Sequence, residues 1–159
     1  SSSLFGMHSA SGDHTTDMAW PTGDAANFQV YAVRTGSAND VAVDYDTKDA
    51  FFILTSSSPF PIPTLSSSVF QDVYDDTNWN FAVRLKQDKY EQNNTVVGVT
   101  GSDRTYTIEF YGVNTILDEV INEFSVSSSI EKSKAENFIG ANKRLYLGAH
   151  RTNFSGTVL

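Results

Sequence analysis

Carboxylates are the side chains in this chain with the most chemistry to offer, and they cluster twice. Asp44, Asp46 and Asp49 fall within "DYDTKD", and Asp72, Asp75 and Asp76 within "DVYDD". A hard cation needs several oxygens held together, so Asp44, Asp46 and Asp49 are the candidate calcium ligands. The glycine and bidentate glutamate of an EF-hand loop do not follow them, and a solvated turn is the plainer reading of the cluster. Glycoside cleavage asks for something else: two carboxylates about 5.5 Å apart across one bond, which alternate positions on a strand supply because they point the same way. No such pair exists. Glu109 is followed at the next alternate position by Tyr111, and Glu119 and Glu123 have no acid between them. His8, His14 and His150 show no paired spacing for zinc, there is no cysteine, and no serine sits in a G-x-S-x-G elbow. Gly98, Gly101 and Gly112 belong to hairpin contexts and not to a phosphate-cradling loop. The expectation is a protein that is not an enzyme.

Binding is the chemistry that remains. Trp20 in "DMAWPTGD" and Tyr74 in "VYDDTN" stand in or near polar loops. An aromatic face beside carboxylates and amides suits a sugar, whose apolar face stacks while its hydroxyls are taken by polar groups. Trp20, Tyr74, Asp75, Asp76 and Asn78 are therefore the candidate carbohydrate contacts, against the competing reading that each ring is packed in the core. Asn93 and Asn153 head N-x-[ST] triplets and are candidate glycosylation sites on a secretory route. The 159-residue chain carries 19 acidic against 11 basic side chains, a net charge of −8. That balance opposes the counterion release on which nucleic-acid binding depends, and it disfavours anionic membrane surfaces. No apolar run reaches the roughly 18 residues of a membrane span, so no membrane insertion is expected.

The elements that must position these residues repeat with period two. In "NWNFAVRLK" (78–86) Trp79, Phe81, Val83 and Leu85 share one face, and in "RTYTIEFYG" (104–112) Tyr106, Ile108 and Phe110 do, with Gly112 ending the run. Phe28, Val30 and Ala32 alternate in 27–34. Val120, Phe124 and Val126 fall together in 120–126, and Leu145, Leu147 and Ala149 in 144–150. "DAFFILT" (49–55) is continuously apolar, as a strand covered on both faces would be. Pro59, Pro61 and Pro63 make 56–68 an extended connection. Only "SIEKSKAENFIGAN" (129–142) has helical composition, enough for a turn or two. Eight to twelve short strands with little helix predict an all-β fold, an antiparallel β-sandwich, in a single domain over residues 1–159.

Three stretches, "NWNFAVRLK", "YTIEFYGVN" and "RLYLGAHRTNFSGTVL", resemble the laminin-G or concanavalin A-like family over about residues 78–159. The wording "WNFAVRL … EFYGVN … RLYLGAHRTNFSG" is most similar to modules in large structural proteins of marine phages and other aquatic viruses. The resemblance implies a concanavalin A-like jelly roll in which Gly148 lets one strand leave its sheet and the F-S-G triplet starts the next. It also implies a further strand after Leu159, and so a segment of a longer chain. The implied function is a noncatalytic module of a viral or extracellular structural assembly, at the virion surface or outside the cell, partnered by other copies or other subunits. The alternative is a lectin-like domain that attaches to surface glycans, with calcium as a possible helper.

Overall fold

The period-two patterns become two antiparallel sheets packed face to face. The computed structural model describes residues 1–10, 24–35, 49–57, 62–74, 77–88, 105–140 and 143–148. Its elements are β1 (Ser2–Ala10), β2 (Asp24–Arg34), β3 (Ala50–Thr55), β4 (Leu65–Ser66), β5 (Asn78–Gln87), β6 (Tyr106–Ile116), β7 (Glu119–Ile130), α1 (Lys132–Gly140) and β8 (Arg144–Leu147). One sheet has the order β4-β3-β2-β1-β8 and the other β5-β6-β7, and every pair is antiparallel. The chain is thus an all-β sandwich.

The core is the meeting of the inward faces. Phe28, Val30 and Ala32 of β2 and Phe52 and Leu54 of β3 pack against Ile108 and Phe110 of β6 and Phe124 of β7. Phe52 of one sheet lies 4.7 Å from Phe81 and 5.8 Å from Phe124 of the other, between ring centroids. Each such ring removes enough apolar surface from water to contribute roughly 1.5–3 kcal/mol. The expected inward face of β5 is the observed one: Trp79, Phe81, Val83 and Leu85 all pack on the core. The apolar run of β3 lies between β2 and β4, inside its sheet. Helix α1 has nine residues, and Ala135 and Phe138 on one side seal the core, Phe138 stacking on Phe28 at 6.1 Å.

Three local readings of the sequence differ from the structure. Gly112 does not end a strand; it lies within β6, because a side chain there would strike the ring of Phe124 and press on Phe81. Leu145 and Leu147 do share a face of β8, paired beside Met7 and Phe5, but both are exposed on this edge strand. Val120 leaves the face of Phe124 and Val126. The β6–β7 ladder pairs Asn114 with Asn122 and then Thr115 with Val120, so Ile121 is an extra residue in a bulge, and the bulge shifts the alternation that Val120 would have followed.

Strand β1 has no counterpart in the period-two reading, and its register shows why. Ser3 pairs with Tyr31 and Phe5 with Val30, which leaves Leu4 as a bulge residue. Leu4, Phe5 and Met7 all reach the core, so the strand's apolar residues do not alternate. The opposite face of β2 is buried too. His8 Nε2 donates to Gln29 Oε1 (3.0 Å), and Gln29 Nε2 donates to Ser3 Oγ (2.7 Å) and to the Phe5 carbonyl (2.9 Å). Gly6, paired with Gln29, leaves room for this side chain, since a Cβ there would overlap it.

Candidate functional site

One end of the sandwich is built from the connection between β4 and β5 facing the β6–β7 hairpin. The connection is pinned to the start of β3: Ala50 and Phe70 exchange backbone hydrogen bonds of 3.0 and 2.8 Å. Residues 71–74 then turn. Asp72 is left-handed (φ 54°), its N–H donates to Asp49 Oδ1 (3.1 Å), and Thr77 Oγ1 donates to the Val73 carbonyl (2.7 Å). Opposite it, β6 and β7 are joined by Leu117 and Asp118, both left-handed (φ 49° and 66°), between the paired Ile116 and Glu119. Two residues at positive φ make the tight hairpin turn that Asn-Gly normally occupies.

Leu117 is an unfavourable choice on two counts. A left-handed backbone costs a residue with a Cβ roughly 1–2 kcal/mol, and the side chain is 94 % exposed. Ile116, Val120 and Ile121 beside it are exposed as well, as is Val69 on the facing connection. Between hairpin and connection lies a cleft of about 450 Å³, within the usual span of ligand sites. Val69, Asp72 and Thr77 line it from the connection, and Asn114, Ile116 and Ile121 from β6 and β7. Asn114 is only 2 % exposed, and its Oδ1 has no hydrogen-bond partner among the described residues. Neither Nε1 of Trp79, its cross-strand neighbour, nor the Tyr74 hydroxyl has a hydrogen-bond partner among the described residues.

A second arrangement occupies the outer face of the smaller sheet. Tyr111 is flanked across the strands by Ala82 and Ser125, and both neighbours are small enough to leave the ring open. In the next row Glu109 accepts from Arg84 Nε (2.7 Å) and pairs with Lys86 Nζ (2.6 Å). The hydrogen bonds from Lys86 and Arg84 hold the Glu109 carboxyl below the ordinary carboxylate range. Tyr111, Ala82, Ser125, Arg84 and Glu109 enclose a shallow depression of about 280 Å³.

Of the candidate site residues taken from the sequence, Tyr74, Asn78 and Asp49 are among those the structure describes. Tyr74 is half-buried with the Arg34 guanidinium 4.2 Å above its ring, while Asn78 opens β5 and is exposed. Asp49 is half-buried, and its carboxylate and carbonyl hold the Asp72 and Thr35 N–H groups. Trp20, Asp44, Asp46, Asp75, Asp76, Asn93 and Asn153 lie outside the described residues, as do His14 and His150. Among the described residues no three carboxylate or imidazole side chains converge on a point. Gly148 directly follows β8 with φ 66° and donates its N–H to the Leu4 carbonyl (2.7 Å). Leu117 carried no sequence signal, since "ILDE" lacks the glycine that marks a hairpin; Asn114 keeps the parity of Ile108 and Phe110 but lies past Gly112, where the sequence reading ends the strand. Comparison with models of protein families, with characterised proteins and with solved structures finds no match.

Proposed function

We propose that this chain is a noncatalytic sandwich module of the concanavalin A-like jelly-roll type, that it belongs to a larger viral or extracellular structural assembly, and that it acts through protein contacts made by the β6–β7 hairpin tip. The observation that carries this reading is Leu117. A solvated hairpin gains stability from Asn-Gly at such a turn; a leucine there is costly to the free module, and departures of this kind concentrate where a protein does its work. With Ile116, Val120 and Ile121 exposed around it, the tip forms an apolar patch of the sort that marks association surfaces. The viral setting is supported by the wording of residues 78–159.

A photo-crosslinking amino acid placed at position 117 of the intact parent protein tests the proposal. Irradiation of the native assembly is expected to join residue 117 to another subunit or another copy. Crosslinks confined to the same chain would remove the tip from the account.

Tyr111 favours a second reading, attachment to a glycan. Its ring is open between Ala82 and Ser125, and Arg84 and Glu109 beside it offer donors and an acceptor to hydroxyls. Under this reading Tyr111→Ala abolishes binding on a glycan array, whereas an unchanged array profile would dismiss the face.

A further inference from the structure

We infer that the outer edge of β7 pairs with the same edge of a second copy of this chain, antiparallel about Val126, so that the two smaller sheets run on as one. The contact is separate from the hairpin tip and stands or falls without it. Strand β7 ends the smaller sheet, with β6 on one side and no described strand on the other. An edge strand turns a row of backbone N–H and C=O groups outward, and that row takes up another strand unless something prevents it. The other described edges are protected. β4 has two residues and β8 four, too short to template a partner, and β5 carries Arg84 and Lys86 on its outer face. β7 is twelve residues long, and its bulge lies near the start, at Ile121. From Phe124 to Ile130 it runs against β6 in unbroken register, with no charged residue, proline or glycine.

Charge and symmetry single out a second copy as the occupant. At −8 each, two copies repel, so a self-contact is confined to surface without charge, and the edge from Phe124 to Ile130 is such a surface. An uncharged edge has nothing with which to select a foreign strand, whereas a two-fold axis requires only that the edge match itself. Inward residues must meet inward residues if the sheets are to continue. Centred on Val126, the pairing sets Val126 against Val126, Ser125 against Ser127, Phe124 against Ser128 and Glu123 against Ser129 of the other copy. A centre at Ser127 instead opposes Glu123 to Glu131 twice, which like charges disfavour, and a centre nearer the hairpin draws the Ile121 bulge into the ladder. The core gains from the chosen register, because Val126 is half-buried at the margin of the cluster and receives a second valine beside it. On the outer face Ser125, Ser127 and Ser129 are exposed and short, so no side chain stands in the way of the approaching edge.

Since the chain has no cysteine, single cysteines report the register directly. Full-length Ser125→Cys and Ser127→Cys, both at exposed positions, are oxidised separately and as an equimolar mixture. Directly opposed residues of antiparallel strands lie within disulfide reach, and residues two positions out of register do not. The mixture is expected to give a disulfide-linked dimer and each variant alone to give little. Sedimentation of the parent chain is expected to show a monomer–dimer equilibrium that tightens as salt screens the repulsion between copies. A parent chain that stays monomeric through the micromolar-to-millimolar range, or crosslinking as extensive in the separate variants as in the mixture, would overturn the inference. A dimer abolished by Leu117→Asn would place the self-contact at the tip, discarding the edge and keeping the protein-contact reading. A register-specific disulfide together with position-117 crosslinks confined to one chain would keep the edge and discard the tip.

Discussion

Gly112 shows how narrowly single positions are specified in the smaller sheet. Its hydrogen faces the Phe124 and Phe81 rings, and a methyl group would occupy space those rings already fill. Gly112→Ala is expected to destabilise the domain by about 1–3 kcal/mol, the usual range for overpacking, read as a lower urea midpoint with unchanged slope. A midpoint equal to that of the parent would mean that the rings move aside freely. Glu109 makes a different single-residue prediction, in pH. Its carboxyl titrates below the ordinary range because Lys86 and Arg84 hydrogen-bond the charged form. A lowered folded value means that the contribution is present above the unfolded carboxylate range and is lost as pH falls through the folded value. Urea midpoints of the parent and Glu109→Gln should therefore converge as pH is lowered from 7 toward 3. A constant gap between them would show that the ion pairs are not the cause.

At the scale of elements, strands whose alternation is unbroken could be read in advance and strands carrying a bulge could not. Trp79, Phe81, Val83 and Leu85 keep a strict period of two, and β5 buries the face so marked. The continuous apolar run of β3 lies inside its sheet, for the reason that both of its faces are covered. Strand β1 is hidden because Leu4 interrupts the period, and the sequence groups Val120 with Phe124 and Val126 because the Ile121 bulge is invisible in it. The candidate site was less legible still. Asn114 and Leu117 break local rules, one by being polar inside and the other by being apolar outside, so residue type points each to the wrong side although Asn114 keeps the parity of Ile108 and Phe110. The hairpin carries its own prediction: Leu117→Asn relieves the left-handed strain and is expected to raise stability by about 1 kcal/mol in chemical denaturation. A loss of stability would mean that the leucine is held by contacts of its own within the domain.

As a whole molecule, the sandwich places its apolar tip and the cleft beside it at the same end, on a scaffold of paired strands. A partner that docks there meets a preformed surface, so little ordering is required of the module on binding. Stability and association are then opposed at a single residue, and that opposition is the central claim in measurable form. The most direct measurement compares the parent protein with its Leu117→Asn variant in two readings, the denaturation midpoint of the domain and the yield of the native assembly by sedimentation. The account predicts a variant that is more stable alone and assembles less. A variant that is more stable and assembles as well as the parent would show that the tip is not the contact.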